Sequence, residues 1–181
     1  MRTSYHPLSV LWHWLIAILI VAAYYFVLAR PDTPGPSPEK LAMMSYHKWA
    51  GITVLFFSII RIASRFIFAA PPMGADVKMP AWQDKTHKIT LLLMLLLTIA
   101  IPLGGWLMSS AAGRPVVMFG LWQLPDLISE NKDLAGQIKE VHETAAWVLL
   151  ALVSLHTAAA LKHYFVDKDS VLARMLPFLK K

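Results

Sequence analysis

Four long stretches of the chain carry almost no charge: residues 3–29, 49–70, 89–113 and 144–161. In the second stretch Arg61 and Arg65 are the only charged residues. A helix needs about 20 mostly apolar residues to cross the hydrocarbon core of a bilayer. The pattern therefore predicts an all-α, transmembrane four-helix bundle in a lipid bilayer. We place the predicted spans at residues 8–29, 41–68, 88–109 and 136–165.

The composition supports this fold class and excludes several kinds of site. Hydrophobic residues make up 57% of the chain and charged residues 15%, whereas soluble domains contain about 25% charged residues. The chain has no cysteine, which excludes disulfides, thiolate metal sites and covalent haem attachment. No repeat, phosphate-binding loop or clustered basic face is present. We therefore expect a single membrane domain over residues 1–181 and no nucleic-acid partner.

The distribution of basic residues predicts that both termini are cytoplasmic. With the N-terminus inside, the inner segments hold 11 of the 17 Lys and Arg residues but only 4 of the 11 acidic residues. Cytoplasmic loops of membrane proteins carry such an excess of Lys and Arg. A cleavable signal peptide is the alternative for the first span. The apolar run of the first span is longer than the apolar region of a signal peptide, which usually has about 7–15 residues. We therefore expect the span to be retained.

Histidines inside the predicted spans are candidate functional residues, because ionisable groups within a membrane are costly. His142 and His156 lie 14 residues apart on the fourth span. This spacing puts them on nearly the same helix face, about 21 Å apart along the axis. The fourth helix is therefore predicted to present two imidazoles at two different depths.

Two other histidines lie at matching depths. His47 is as far from the predicted start of the second helix as His142 is from the start of the fourth, and both helices enter from the outside. His13 lies near the inner end of the first helix, where the fourth helix leaves the membrane. We therefore predict two pairs, His47 with His142 in the outer half and His13 with His156 in the inner half.

Three histidines are weaker candidates. His87 is a possible inner partner, but Lys85 and Lys88 flank it, and His163 follows another lysine. We place both at the water interface, and His6 in the N-terminal tail.

A small residue follows each paired histidine by one helical turn: Ala17, Gly51, Ala146 and Ala160. Positions i and i+4 share a helix face, so a small side chain leaves room there for a flat macrocycle. Small residues also allow close packing of membrane helices. The pattern is compatible both with a macrocycle-binding site and with close packing of the helices.

Two opposed pairs of imidazoles are a ligand set for two haem groups, each bound by two histidines. A zinc site needs three or four ligands at one point, and no three of these histidines share a predicted depth. Structural histidines hydrogen-bonded to backbone or water are the alternative. We therefore expect two non-covalent haem b groups. Their predicted axial ligands are His13, His156, His47 and His142.

Five segments of the chain resemble the bacterial cytochrome b561 family. They are "LWHWLIAILIVAAY", "SYHKWAGI", "GRPVVMFGLW", "EVHETAAWV" and "LHTAAALKHYFVDKDSVLARMLP". The resemblance covers essentially the whole chain, although Lys162-His163 stands where the family usually has two histidines. It implies a four-helix di-haem protein of the bacterial inner membrane, in which His13 and His156 bind one haem and His47 and His142 the other.

The resemblance also implies electron exchange with ubiquinone. One branch of the family resembles superoxide:ubiquinone oxidoreductases, and related proteins are cytochrome b subunits of larger dehydrogenases. The sequence leaves several activities open: an oxidoreductase acting on superoxide, a subunit with a redox or assembly partner, or a haem or metal transporter.

Charged residues near the inner boundary are candidate cofactor and quinone contacts. Arg61 and Arg65 lie one turn apart, and arginine binds carboxylates through two hydrogen bonds. They are candidates for contacts with haem propionates or a quinone headgroup, with anchoring to lipid headgroups as the alternative. His87 and Lys78 are candidates for quinone contacts, with a solvated inner face as the alternative.

Overall fold

The computed structural model describes residues 4–32, 34–72, 76–77 and 79–179. Four long helices dominate the described chain: α1 (Pro7–Leu28), α2 (Pro38–Ile67), α3 (Ala81–Ala111) and α4 (Lys132–Lys162). Each is long and apolar enough to cross a membrane. The predicted all-α, four-helix membrane fold is therefore confirmed.

The helices pack in chain order, α1 against α2, α2 against α3 and α3 against α4. Helix α4 lies further from α1 and α2, and side chains bridge the space between them. One such bridge is the hydrogen bond from the Tyr24 hydroxyl of α1 to the Ala146 carbonyl of α4. We name the end where α1 and α3 begin the terminal end, and the end where α3 connects to α4 the hairpin end.

Many large apolar side chains of the helices are exposed on the outside of the bundle. Ile18, Val21 and Phe56 are each more than half exposed. Small residues such as Ala50 and Ser58 occupy buried positions instead. Lipid is as apolar as a leucine side chain, so membrane helices associate through small residues that allow close approach. This inverted distribution is what a lipid-facing bundle requires.

Helices α2 and α4 begin before the apolar stretches, at polar residues that cap their first turns. The side chains of Ser37 and Asn131 accept backbone N–H groups at the starts of α2 and α4. Helix α3 begins at Ala81 after Pro80, seven residues before the predicted start of the span. The connection from α2 to α3 is therefore shorter than the predicted span bounds, 41–68 and 88–109, imply. Lys88 forms an ion pair with Asp84 in the first turn of α3.

A short β-hairpin in the connection from α3 to α4 was not predicted. Its strands, β1 (Val117–Met118) and β2 (Trp122–Gln123), are antiparallel. The turn between them is closed by a hydrogen bond from Leu121 N to the Met118 carbonyl. Buried side chains of this connection pack against α2 and α3 at the hairpin end. The pairing involves only two residues per strand, too few for a clear alternating pattern in the sequence.

The C-terminal segment (residues 163–179) closes the terminal end of the bundle. Helix α4 continues into a π-helical turn, His163–Asp167, and short 3₁₀ turns follow. Arg174 is buried and donates to the carbonyls of Pro71 and Pro72. Ser170 donates two hydrogen bonds to Asp76, which hold the pKa of this carboxyl below its ordinary value. The segment is thereby tied to the connection between α2 and α3.

Candidate functional site

The structure brings the four predicted histidines together as two pairs. The ring centroids of His13 and His156 are 6.3 Å apart. Those of His47 and His142 are 6.2 Å apart. Helix α4 contributes one histidine to each pair, about 21 Å apart along its axis. The first pair lies toward the terminal end and the second toward the hairpin end, and all four rings are partly buried.

The distance between the two rings of each pair is the distance expected for two imidazoles that bind one metal ion. An imidazole nitrogen binds a transition-metal ion at about 2 Å, so two rings on opposite sides of one ion have centres about 6 Å apart. Both observed centroid distances meet this requirement. Within the described ranges, neither pair belongs to a cluster of three or more His, Asp or Glu ligands. The donor sets fit a group with two axial positions, such as haem.

Backbone carbonyls orient both rings of the hairpin-end pair. Nδ1 of His47 lies 2.8 Å from the Ala23 carbonyl, and Nδ1 of His142 lies 3.0 Å from the Ile101 carbonyl. A carbonyl oxygen only accepts, so each Nδ1 carries the proton and donates it. The lone pair of each ring is then on Nε2. Metal-binding histidines generally donate their other N–H in this way.

The terminal-end pair has different surroundings. Among the described residues, no hydrogen bond reaches a ring nitrogen of His13 or His156. Arg61 lies within electrostatic range of both rings. Its guanidinium forms no ion pair with any carboxylate of the described chain. Within the described residues, a positive charge without a carboxylate partner therefore lies near this pair.

Gly105 of α3 is a site residue that the sequence analysis missed. A Cβ atom at this position would lie 3.0 Å from Cε1 and 3.4 Å from Nδ1 of His142. In an α-helix the carbonyl of residue i points toward residue i+4, so a residue without a side chain at 105 gives His142 access to the Ile101 carbonyl. The Gly104-Gly105 pair inside a membrane span was the available signal.

Gly51, the small residue one turn after His47, has a packing role. A Cβ atom there would lie 3.9 Å from Cβ of Pro102 on α3. This contact belongs to the α2–α3 interface, which is the alternative reading of the small-residue pattern.

Arg61 and Arg65 line one small cavity near the terminal end. Its other lining residues are Tyr5, Ser9, Ser64 and Met175. The guanidinium carbon of Arg65 lies 5.9 Å from the centre of the Tyr5 ring, and Arg65 is exposed. Arg61, by contrast, is partly buried.

The remaining candidates also lie toward the terminal end. His87 is within electrostatic range of both His156 and His163. The ring of His163, which we predicted at the water interface, is buried within the protein, and its Nδ1 is 2.6 Å from an Asp169 carboxylate oxygen. Lys78 lies outside the described residues.

Known proteins resemble the chain over nearly its full length. It matches the family described as prokaryotic cytochrome b561 over residues 4–178. It is 30% identical over 175 residues to Cytochrome b561 homolog 2 of Escherichia coli (strain K12), covering 95% of this chain and 90% of that protein. It is 29% identical over 177 residues to the Probable superoxide oxidase CybB of Yersinia pestis, covering 98% of each.

The family match spans all four membrane helices and both histidine pairs. A cytochrome b family implies that the chain binds haem b. The chain therefore belongs to the prokaryotic cytochrome b561 family, whose members are multi-pass electron-transfer proteins of the bacterial inner membrane.

Proposed function

We propose that this protein holds two haem b groups and carries electrons between a donor and ubiquinone. The observation that carries the proposal is the pair of matched histidine gaps, 6.3 Å and 6.2 Å, on one face of α4. His13 and His156 would hold one haem at the terminal end, and His47 and His142 would hold the other at the hairpin end. Haem iron supplies reversible one-electron chemistry when bound.

At the hairpin end, hydrogen bonds hold both imidazoles in the tautomer that binds a metal ion. The Ala23 and Ile101 carbonyls hold the protons of His47 and His142 on Nδ1, which leaves the lone pair of each ring on Nε2 for a metal ion. Such outer hydrogen bonds orient the rings and raise their basicity. Gly105 keeps the space that His142 needs.

At the terminal end, Arg61 pairs with a carboxylate of the bound group. Haem b carries two propionates, and arginine is suited to partly buried carboxylates. Arg61 has no carboxylate partner in the described chain and lies near both His13 and His156. Arg65 is more exposed and is the candidate for a quinone or propionate contact nearer the water.

The quinone site lies at the terminal end, near His87. Reduction of ubiquinone to ubiquinol consumes two electrons and two protons, so the site needs proton donors. His87 is half-buried, within electrostatic range of His156 and His163. We assign proton transfer to His87, with Lys78 as a second contact. With both termini cytoplasmic, as the basic residues favour, these protons come from the cytoplasm.

The electron donor is either superoxide or a protein partner. Superoxide gives one electron and leaves as O₂, and this candidate rests on the Yersinia pestis relative named as a probable superoxide oxidase. Subunits of larger dehydrogenases receive electrons from a partner chain instead. A haem or metal transporter is disfavoured, because no internal repeat of the kind seen in transporters is evident.

The first test is the cofactor content of the purified protein. We expect a reduced-minus-oxidised spectrum of b type and two acid-extractable haems per chain. A content of one haem per chain, or a colourless protein obtained with ample haem supply, would contradict the proposal.

The second test separates the donors. Proteoliposomes containing ubiquinone are supplied with superoxide, and quinol formation is followed. Quinol formation above the protein-free rate supports superoxide as the donor. If superoxide produces none while quinol still reduces the cytochrome, a protein partner becomes the favoured donor.

A further inference from the structure

The hairpin between α3 and α4 exposes an apolar tip. Residues 115–125 contain no charged side chain. Three large side chains at the tip are strongly exposed: Phe119 by 62%, Leu121 by 90% and Trp122 by 67%. Contiguous exposed apolar surface in a folded protein usually marks an interaction site. In a membrane protein, the apolar surface around the perimeter of the helices is the site of interaction with lipid.

The hairpin lies where the apolar part of α2 begins. The indole N–H of Trp49 donates to the Val117 carbonyl at 2.7 Å, and the Trp49 ring packs against Phe119 with centroids 5.1 Å apart. Lys48 donates to the Arg114 carbonyl at 3.0 Å. Lys48 is also the last charged residue before the uncharged residues 49–60. The hairpin is thus level with the border between polar and apolar segments.

The face of α2 that carries the hairpin continues as a lipid-facing stripe. Trp49 and Ile52 pack against the buried side of the hairpin connection. Phe56 and Ile59 follow at helical spacing on the same face and are 58% and 55% exposed. The tip therefore adjoins a surface that the bilayer covers, and this continuity favours lipid as its occupant over a second protein.

Side chains of the helices satisfy backbone carbonyls of the hairpin connection. Besides the bonds from Lys48 and Trp49, the indole N–H of Trp106 donates to the Pro125 carbonyl at 3.1 Å. Ser109 also donates to the Arg114 carbonyl. Unsatisfied backbone groups are costly where water is excluded. Non-helical backbone is tolerated at membrane depth when the protein supplies such partners.

We propose that the hairpin tip, Phe119–Trp122, inserts into the boundary between headgroups and acyl chains of the leaflet at the hairpin end. Trp122 and Phe119 are the amphipathic and aromatic side chains that favour this zone. Arg114 and Asp126 flank the uncharged segment and stay at the headgroup level. The inference is independent of cofactor content and of the electron donor.

The absence of cysteine allows a direct test. Leu121→Cys, labelled with a nitroxide in the haem-loaded protein, is reconstituted into vesicles of phosphatidylethanolamine and phosphatidylglycerol. Leu121 is almost fully exposed, so this change leaves the packing intact. Asp126→Cys, exposed at the base of the hairpin, is the matched control. Collision rates with oxygen and with a neutral nickel chelate are then measured for both labels.

We expect oxygen to relax the label at position 121 more than the nickel chelate does, with the reverse order at position 126. Equal access of the nickel chelate to both labels would overturn the proposal, because the tip would then lie in water. Protection of position 121 from both reagents, with spin–spin broadening, would also overturn it and indicate contact between two copies of the chain.

Discussion

The two histidine pairs have nearly the same distance between their rings, but they differ in hydrogen-bond partners and in nearby charge. At the hairpin end, backbone carbonyls fix the tautomers of both His47 and His142. At the terminal end, the rings of His13 and His156 have no such partner among the described residues, and the cation of Arg61 lies nearby. Ligand spacing is therefore shared, whereas ring basicity and local charge differ.

This difference predicts that the two proposed haems have different reduction potentials. Hydrogen bonds from Nδ1 to carbonyls make the imidazoles stronger donors and favour the oxidised metal. A nearby positive charge favours the reduced form, which carries one more electron. The terminal-end haem is therefore expected to have the higher potential, so that electrons pass from the hairpin end toward the terminal end.

The largest expected effect comes from removing one ligand of each pair. His142→Ala and His13→Ala should each lower the haem content from two to one per chain, because each leaves the other pair intact. Pyridine haemochrome analysis gives the content, and redox titration shows which potential remains.

His6→Ala is the matched control, since His6 stacks on Phe68 outside both pairs and should keep both haems. Loss of the same potential from His142→Ala and His13→Ala in a folded protein would contradict two separate pairs.

The next effect tests the space beside His142. Gly105→Ala should reduce haem occupancy at the hairpin end several-fold, because the new Cβ would meet Cε1 of His142 at 3.0 Å. Gly104→Ala is the neighbouring control, with nothing within 4 Å of its Cβ position. It should keep full occupancy, and higher helix propensity favours it by roughly 0.5–1 kcal/mol. Equal haem loss in both variants would refute a specific role for Gly105.

A smaller effect is expected from the charge near the terminal-end pair. Arg61→Gln should lower the potential of the terminal-end haem by tens of millivolts, because a nearby cation that stabilises the reduced state is lost. Redox titration should show the hairpin-end haem unchanged. Arg65→Gln should shift this potential less than Arg61→Gln does, since Arg65 is exposed and its charge is screened by water and salt. Equal shifts of both potentials in the Arg61 variant would disprove its local action.

The smallest effect concerns the C-terminal segment that closes the terminal end. Hydrogen bonds from Ser170 lower the pKa of Asp76 in the folded protein. Their contribution to stability is therefore present above the ordinary carboxyl pKa and disappears as the pH falls through the lowered value. Asp76→Ala should lower the thermal unfolding midpoint slightly at neutral pH.

As the pH falls through the lowered pKa of Asp76, the difference between Asp76→Ala and the parent protein should shrink. Ser170→Ala, which removes only the side-chain donor, should have a smaller effect than Asp76→Ala at neutral pH. A difference that grows toward acid pH would contradict this linkage.

The membrane helices and the meeting of the histidines could be predicted because both follow from simple lengths. Each residue advances a helix by about 1.5 Å, and a bilayer requires a roughly constant apolar length. The depth of each histidine along its helix therefore predicted the pairs His47 with His142 and His13 with His156. The rings of each pair are neighbours in the structure. Their role as haem ligands stays a prediction.

Features that depend on helix rotation and on long-range contacts were not predictable. The Ile101 carbonyl and Gly105 face His142 only because α3 and α4 pack in one particular rotation. The burial of His163 depends on how the C-terminal segment folds back. A hydrophobicity pattern records which residues avoid water and contains no information on such rotations.

The amino-acid sequence by itself determined that this chain spans a membrane and carries imidazoles at two depths, because apolar length and helical rise are local properties. Only the tertiary structure decided which carbonyls orient those imidazoles and which histidine pair lies near the charge of Arg61. It also decided that the hairpin packs on α2. These contacts join residues far apart in the chain, such as Trp49 and Val117, and they exist only once the helices have packed.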